Sequence, residues 1–416
     1  MTVAIPSGRG RWRLTLHNRQ FADVAWGTTM IAELSDARSR QLEQSLNSPA
    51  QLTFVLPGNS PAASLIKELS QDVILWRWSE SAGRDVAYFR GIVSHSEDEL
   101  SEQTHTVTFT CHDYLAMMQR RWTTALWNFH QTEQDAIVSS FWQWSTRVST
   151  SNGTSLQPGS YLPFRPWTVN PDGSRRSIPS GQLRDRNYIA AQNIGTLLDD
   201  LAHVIGGFDY DIVPGWRFDT AQTWDYLRIF YPSQGIDRTS QFVLEYGGAV
   251  STLTRTIDSS AYANYQWLIG GVPDGSPDGT PPLFGEHWNA DANNVTVTPV
   301  GLWSNVDNAS DVVLQSTLDE QSQGALDISG VLIPQYTAVL RPGFYREGLL
   351  NMGDTVPLVV NSGRLHVEDS IRIMGITFDI GDDGQEDVSL TLGRSAFSLI
   401  DLLRNQAADV NALARR

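Results

Sequence analysis

The chain has 416 residues, 41% hydrophobic and 18% charged, which is enough apolar material for about two or three folded domains and too little charge for a disordered chain. Lys plus Arg total 30 against 46 Asp plus Glu, a formal charge of −16, so general binding to phosphate backbone is excluded and only a local basic patch is left open. Cys111 is the only cysteine, which excludes an intrachain disulfide, a multi-cysteine zinc site and an iron–sulfur cluster. From the N-terminus, residues 11–125 read mainly as strands: Trp12–Leu16, Gln51–Leu56, Val73–Trp78, Ala87–Val93 and Thr106–Cys111, short runs rich in β-branched and aromatic residues. A short helix is expected at Pro61–Leu69. After Cys111 the spacing turns helical over Trp122–Trp144. Residues 150–187 read as a long excursion with little periodicity, carrying Arg165, Arg175, Arg176, Arg184 and Arg186. Ile189–Ile205 is the clearest helix, with Ile194, Leu197, Leu198, Leu201 and Ile205 on one stripe and Gly206-Gly207 as its stop. Strands follow at Phe208–Val213 and Tyr226–Phe230.

From about residue 240 the chain is β-rich again, with strands expected at Phe242–Tyr246, Tyr265–Ile269, Val295–Val297, Thr355–Val360, Ile371–Ile376 and Val388–Leu392. Two Pro-Asp-Gly triplets mark Gly270–Pro282 as a loop. Ala396–Arg416 reads as a helix with Leu399 and Leu403 on a partner-facing surface. The start of the chain lacks the apolar core of a secretory signal, and no run approaches the ~20 apolar residues of a membrane span. Lys67 is the sole lysine, a codon-usage mark of a GC-rich genome.

The two β-rich regions share an order of parts. Val73–Trp76, Arg90–Val93, the acidic turn Glu97-Asp98-Glu99, strand Val107–Cys111 and the apolar Tyr114–Met118 run parallel to Val356–Val359, Met374–Thr377, the acidic turn Asp382-Asp383-Gly384, strand Val388–Leu392 and Phe397–Leu403. Gly91 to Val107 spans 16 residues and Gly375 to Val388 spans 13, a hairpin-tip difference. The bland alternative is that any two hairpins followed by helices look alike. If the repeat is real, three chains present six similar units around an axis, and a trimer can match a six-fold partner.

Catalytic signatures are missing. The eight histidines stand in no metal-ligand spacing. His112 and Asp113, adjacent on a strand, point to opposite faces and do not cooperate. Asp379–Gly384 has a calcium-loop look, but Leu390 stands where the bidentate Glu belongs, so a hairpin tip explains it better. No nucleophile elbow, phosphate loop or dinucleotide fingerprint appears, and glycosidase carboxylates leave no local signature to search for. The 14 tryptophans either stack on cell-wall sugars or fill cores and interfaces, with the second reading weightier.

Taken together, Leu52–Pro57, Phe89–Val93, Val107–Leu115 before Arg120-Arg121, Ile189–Tyr210, Leu244–Gly248 to Tyr262–Asn264 and Ile371–Gly393 resemble the baseplate-hub or tail-tip-hub proteins of long-tailed bacteriophages. The fold expected is mainly β with an α+β insertion: two related small antiparallel barrel or sandwich domains (1–125 and 240–395), a mixed α/β middle domain (126–239) and a C-terminal helix (396–416). The resemblance implies a non-enzymatic virion protein without cofactors or catalytic residues, assembled in the host cytoplasm. It also implies a homotrimer between the hexameric distal tail protein and the tip or fibre proteins. It implies further that genome DNA, and the tape-measure protein with it, passes through the lumen. An acidic bore suits that traffic, because it repels phosphate. Glu97, Asp98, Glu99, Asp382 and Asp383 are the lumen-facing candidates, and Arg165, Arg175, Arg176, Leu399 and Leu403 the interface candidates. The alternatives are a tail-associated cell-wall glycosidase and a carbohydrate-binding protein. The middle arginines and the lack of a peptidase or lysozyme-like extension have no counterpart in the resemblance.

Overall fold

The computed structural model describes residues 12–19, 29–145, 147–150, 153–156, 162–177, 179–202, 206–215, 225–273, 276–277, 279–289, 300–309, 314–345 and 348–393. The first β region holds β1 (Trp12–Asn18), β2 (Thr29–Glu33), β3 (Arg38–Ser45), β4 (Gln51–Pro57), β5 (Gln71–Ser79), β6 (Arg84–Leu100) and β7 (His105–His112). Period-two patterning builds it. Leu52, Phe54 and Leu56 of β4 and Val107, Phe109 and Cys111 of β7 all point inward, and Phe54 stacks on the directly paired Phe109 at 5.4 Å.

The middle region follows: α1 (Leu115–Met118), β8 (Trp127–Glu133), α2 (Gln134–Ser145), β9 (Arg147–Thr150), β10 (Gly153–Leu156), β11 (Phe164–Val169), β12 (Leu183–Tyr188), α3 (Ile194–Ala202), β13 (Asp209–Val213) and β14 (Asp225–Phe230). Its core joins Ile137, Val138 and Phe141 of α2 to Leu197, Leu198 and Leu201 of α3 and to Phe164, Tyr210 and Leu227 of the small sheet β11-β14-β13. The expected aperiodic excursion at 150–187 is therefore partly strand. β12 pairs antiparallel with β8 and β11 pairs parallel with β14, so both draw their regularity from distant partners. The helical reading of Trp122–Trp144 holds for α2 only; Trp127–Glu133 is strand.

The second β region contributes β15 (Leu244–Glu245), β16 (Val250–Thr256), then β17 (Tyr265–Gly270), β18 (Phe284–Trp288), β19 (Ser304–Ala309), α4 (Gln315–Ser329), and finally β20 (Gln335–Leu340), β21 (Thr355–Ser362), β22 (Leu365–Ile380) and β23 (Glu386–Gly393). Among the described residues the long strands form one 13-stranded sheet in the order β16-β20-β23-β22-β3-β4-β7-β6-β5-β1-β2, with β21 on β22 and β15 on β21. The fold is thus mainly β with an α/β insertion. The expected strand at Val295–Val297 and the C-terminal helix with Leu399 and Leu403 lie outside the described residues.

By compactness the chain divides into one unit of Met1–Leu253 with Thr337–Leu392 and another of Thr254–Tyr336 with Gly393–Arg416. In the second unit, β17 pairs antiparallel with β18 and parallel with β19, and α4 lies against the face where Gln266 and Leu268 are buried. The opposite face carries half-buried Tyr265 and exposed Trp267, Phe284 and Trp288, with ring centroids 5.9–6.2 Å apart along the row.

Candidate functional site at the module joint

The repeat expected from the sequence reappears as topology. In chain order β3, β4, β5, β6 and β7 lie side by side as β3-β4-β7-β6-β5, while β16, β20, β21, β22 and β23 lie as β16-β20-β23-β22-β21. The two orders are the same. Registers align them in detail: Asp72 pairs with Ile92 as Thr355 pairs with Arg372, and Leu69 N–H donates to the Val93 carbonyl (2.8 Å) as Gly353 N–H donates to the Ile373 carbonyl (2.8 Å). Ile92 and Arg372 are therefore equivalent, and the glycines matched in the sequence, Gly91 and Gly375, are not. The hairpins also end alike, at Leu100 before Ser101–Thr104 and at Ile380 before Gly381–Gln385.

The copies differ most in one connection. β3 and β4 are joined by Leu46–Ala50, whereas β16 and β20 are joined through the whole second unit, so residues 254–336 occupy the place of a short turn. The sequence hid this because β16, with Ser, Thr or Arg at five of its seven positions, buries only Val250.

Where the modules meet, β22 pairs antiparallel with β3, Gly375–Ile380 against Ser45–Arg40. Behind that seam sits a buried lock. Glu386 at the start of β23 accepts from Trp12 Nε1 (2.9 Å) and Arg77 Nη2 (2.6 Å), using both carboxylate oxygens. The Arg77 guanidinium lies 5.1–5.8 Å from the ring centroids of Trp12, Tyr88, Tyr345 and Phe378, and the Tyr88 and Tyr345 hydroxyls are 2.9 Å apart. Burial opposes the Arg77 charge, but Tyr88, Glu386 and Tyr345 outweigh it and hold its pKa above the ordinary value. Of this cluster, Arg77 and Tyr88 come from the first module, Trp12 from the adjoining β1, and Tyr345, Phe378 and Glu386 from the second module. Sequence reasoning missed the group, because six side chains from six separate segments carry no local pattern.

Two further polar joints fix the middle region to the modules. Asp72 on β5 accepts from Arg19 Nε (2.8 Å), Tyr114 Oη (2.6 Å) and Arg90 Nη2 (3.3 Å), while Arg90 Nη1 reaches Asp225 on β14 (3.4 Å). Asp72, Arg90 and Asp225 are fully buried, and burial pushes the Asp225 pKa up to about 6 against the pull of Arg90. On the other module Arg372 binds Asp209 and donates to the Gln234 carbonyl (2.7 Å). Beside it Gly235 (φ 91°) and Gly353 (φ 83°) touch backbone to backbone; a Cβ on Gly353 would stand 2.2 Å from the Gln234 carbonyl oxygen.

A polar basin of about 340 Å³ opens next to this joint, lined among others by Asp211, Arg228, Gln234, Arg238, Asp354 and Tyr345. Four of its charges are matched in pairs, Arg228 with Asp211 (2.5 Å) and Arg238 with Asp354 (3.2 Å), so these groups brace the walls. Among the described residues no group of three or more His, Cys, Asp or Glu side chains is arranged to hold a metal ion, and no helix is long and apolar enough to cross a membrane.

Neither a protein-family model nor a curated protein sequence matches the chain. Solved structures do. The 43 kDa tail protein of prophage MuSo2 from Shewanella oneidensis aligns with a TM-score of 0.55 at 12% identity, covering 92% of this chain and 98% of that one. The tail protein from Neisseria meningitidis MC58 aligns with a TM-score of 0.54 at 11% identity, over 92% and 97% of the two chains. The chain has the fold of these tail proteins.

Within this tail-protein fold the site residues expected from sequence are dispersed. Glu97, Asp98 and Glu99 are not in a turn: β6 runs on to Leu100 because Thr106, Val107 and Thr108 of β7 keep pairing with them, and the turn is Ser101–Thr104. Asp382 and Asp383 do sit at the β22–β23 hairpin tip, where Asp383 caps Gln385 N–H (3.0 Å) and Asp379 accepts from Gln41 of β3 (2.6 Å). Arg165 stands exposed on β11, and Arg175 covers the Trp167 ring at 5.3 Å. Arg176 is turned inward, donating to the Pro179 carbonyl (3.2 Å) and the Tyr231 carbonyl (3.5 Å), so it secures its own loop. His112 meets Ser94 Oγ (2.7 Å) while Asp113 accepts from the Ala50 and Leu115 N–H groups (2.8 and 2.9 Å), separate partners on separate sides.

Proposed function

We propose that the chain is a non-enzymatic structural hub of a phage tail tip. In this reading it is a homotrimer whose six equivalent modules adapt a six-fold tail tube and distal tail protein to three-fold tip or fibre proteins. The observation that carries the reading is the identical five-strand order of the two modules. A chain holding two copies of one unit, rigidly joined by the Trp12–Arg77–Glu386 lock, offers a three-fold assembly that a six-fold neighbour meets as six similar surfaces. The excess of acidic residues supports a bore through which DNA and tape-measure protein slide without sticking, with Asp382, Asp383 and the Glu97–Glu99 segment as candidates to line it. Virion assembly in the host cytoplasm follows from the same reading. Mass measurement of the purified chain together with its binding to the distal tail protein tests it: trimers that bind a hexameric ring support the hub, and a monodisperse monomer refutes it.

A second reading has one observation in its favour. The row Trp288, Tyr265, Trp267 and Phe284 on the second unit, with Glu286 accepting from Tyr265 Oη (2.8 Å), presents aromatic faces beside a carboxylate, as a sugar-binding platform does. Affinity for host cell-wall glycan that disappears in Trp267→Ala and Trp288→Ala supports carbohydrate binding. Clearing of peptidoglycan that disappears on replacing one carboxylate marks a glycosidase.

A further inference from the structure

We propose that the unit of residues 254–336 holds a binding cavity for an organic cation on an apolar stem, the chemistry of an arginine or lysine side chain in an apolar segment of a partner protein. The cavity follows from how α4 seats on the sheet, on the face opposite the aromatic row. A Cβ on Gly285 of β18 would stand 2.8 Å from the Leu318 carbonyl oxygen, so the missing side chain lets α4 close onto β18 and β17. On the same face the register sets Asn305 of β19 beside Gln266 and Asp307 beside Leu268, yet Gln266 and Leu268 are buried while Asn305 and Asp307 stay exposed. The strip that α4 leaves uncovered is a cavity of about 540 Å³, a size usual for ligand sites.

Its charge is all of one sign. Asp307 Oδ2 accepts from Gln266 Nε2 (2.8 Å) and Asn305 Nδ2 (3.0 Å), which fixes the carboxylate and leaves Oδ1 without a partner among the described residues. Gln266 is fully buried at this wall, and its Oε1 has no partner either. Asp258 supplies a second carboxylate; Ser260 N–H donates to it (2.8 Å) and holds its pKa below the ordinary value. Ala325 and Ser329 bring the C-terminal end of α4 to the same space, and the last turn of that helix carries no basic residue. No Lys, Arg or His is among the described residues that line the cavity. The basin beside Arg228 and Arg238 is the opposite case, because Asp211 and Asp354 already hold those arginines.

Much of the remaining wall is apolar. Val331 and Leu332, 40% and 44% exposed, follow α4 together with Ile333, and Tyr262 adds an aromatic ring. Apolar side chains held at the surface beside unneutralised carboxylates match a ligand with both parts: methylenes lie along Leu332 and Tyr262, and the charged head reaches Asp307 Oδ1. Two carboxylates and a helix C-terminus repel an anionic ligand from the same space.

The test titrates the full chain with the capped peptide acetyl-Gly-Leu-Arg-Leu-Gly-amide, and with the same peptide carrying citrulline, the neutral isostere, in place of arginine. The arginine peptide should bind about tenfold or more tightly than the citrulline peptide, and should lose most of that advantage in Asp307→Asn and in about 1 M salt. Leu332→Ser, at an exposed position, should weaken both peptides. Equal affinity for the two peptides, binding unchanged in both variants, or no binding up to about 10 mM overturns the proposal. Saturable binding of the neutral oligosaccharide chitotriose that Asp307→Asn abolishes, with no preference for arginine, assigns the cavity to a sugar and overturns it as well.

Discussion

Glu386 answers two buried donors at once, Trp12 Nε1 and Arg77 Nη2, and its removal strands a guanidinium among four aromatic rings. Breaking a buried pair from one side costs about 3–5 kcal/mol, whereas replacing both partners by apolar groups is often close to neutral. Glu386→Ala should therefore lower the urea midpoint strongly, and Arg77→Met with Glu386→Leu should recover most of the loss. Asp113 gives a pH-dependent counterpart. Burial pushes its pKa up to about 7 despite two backbone donors, well above the ordinary carboxylate value. A carboxyl raised in the folded state stabilises it fully below about pH 4 and loses that contribution as pH rises through about 7. Melting curves taken across that range should fall for the wild type and fall less steeply for Asp113→Asn.

Among the elements, the insertion is the most informative. Residues 254–336 replace what is a five-residue connection, Leu46–Ala50, in the other module, and form a compact unit of their own. Exchanging residues 257–334 for a short turn should leave the first unit folded, with near-native circular dichroism and cooperative melting, because β16 and β20 then meet as β3 and β4 do. Loss of cooperative melting would show that the unit is needed for folding. The strands legible in the sequence were those with strict alternation, such as Gln51–Leu56 and Val388–Leu392, whose burial follows period two. β3 was illegible: Arg-Ser-Arg-Gln-Leu-Glu-Gln-Ser buries only Leu42 and is strand because β4 and β22 flank it. α4, with Gln, Ser and Asp over most of its length, was missed for the same reason. The repeat was found with its glycines misaligned, since a register is set by hydrogen-bond partners and not by residue type.

For the whole molecule, the central claim is that two equivalent modules per chain let a three-fold ring present six-fold character. The 12% and 11% identical tail proteins share the fold without fixing what it does here, so the claim stands on the internal equivalence of the modules. Electron cryomicroscopy of the purified full-length oligomer tests it most directly. The account predicts a ring of three copies in which the β3–β7 and β16–β23 modules alternate at one radius around an open channel. Particles that contain a single copy, or a ring in which the two modules lie at different distances from the axis, would contradict it.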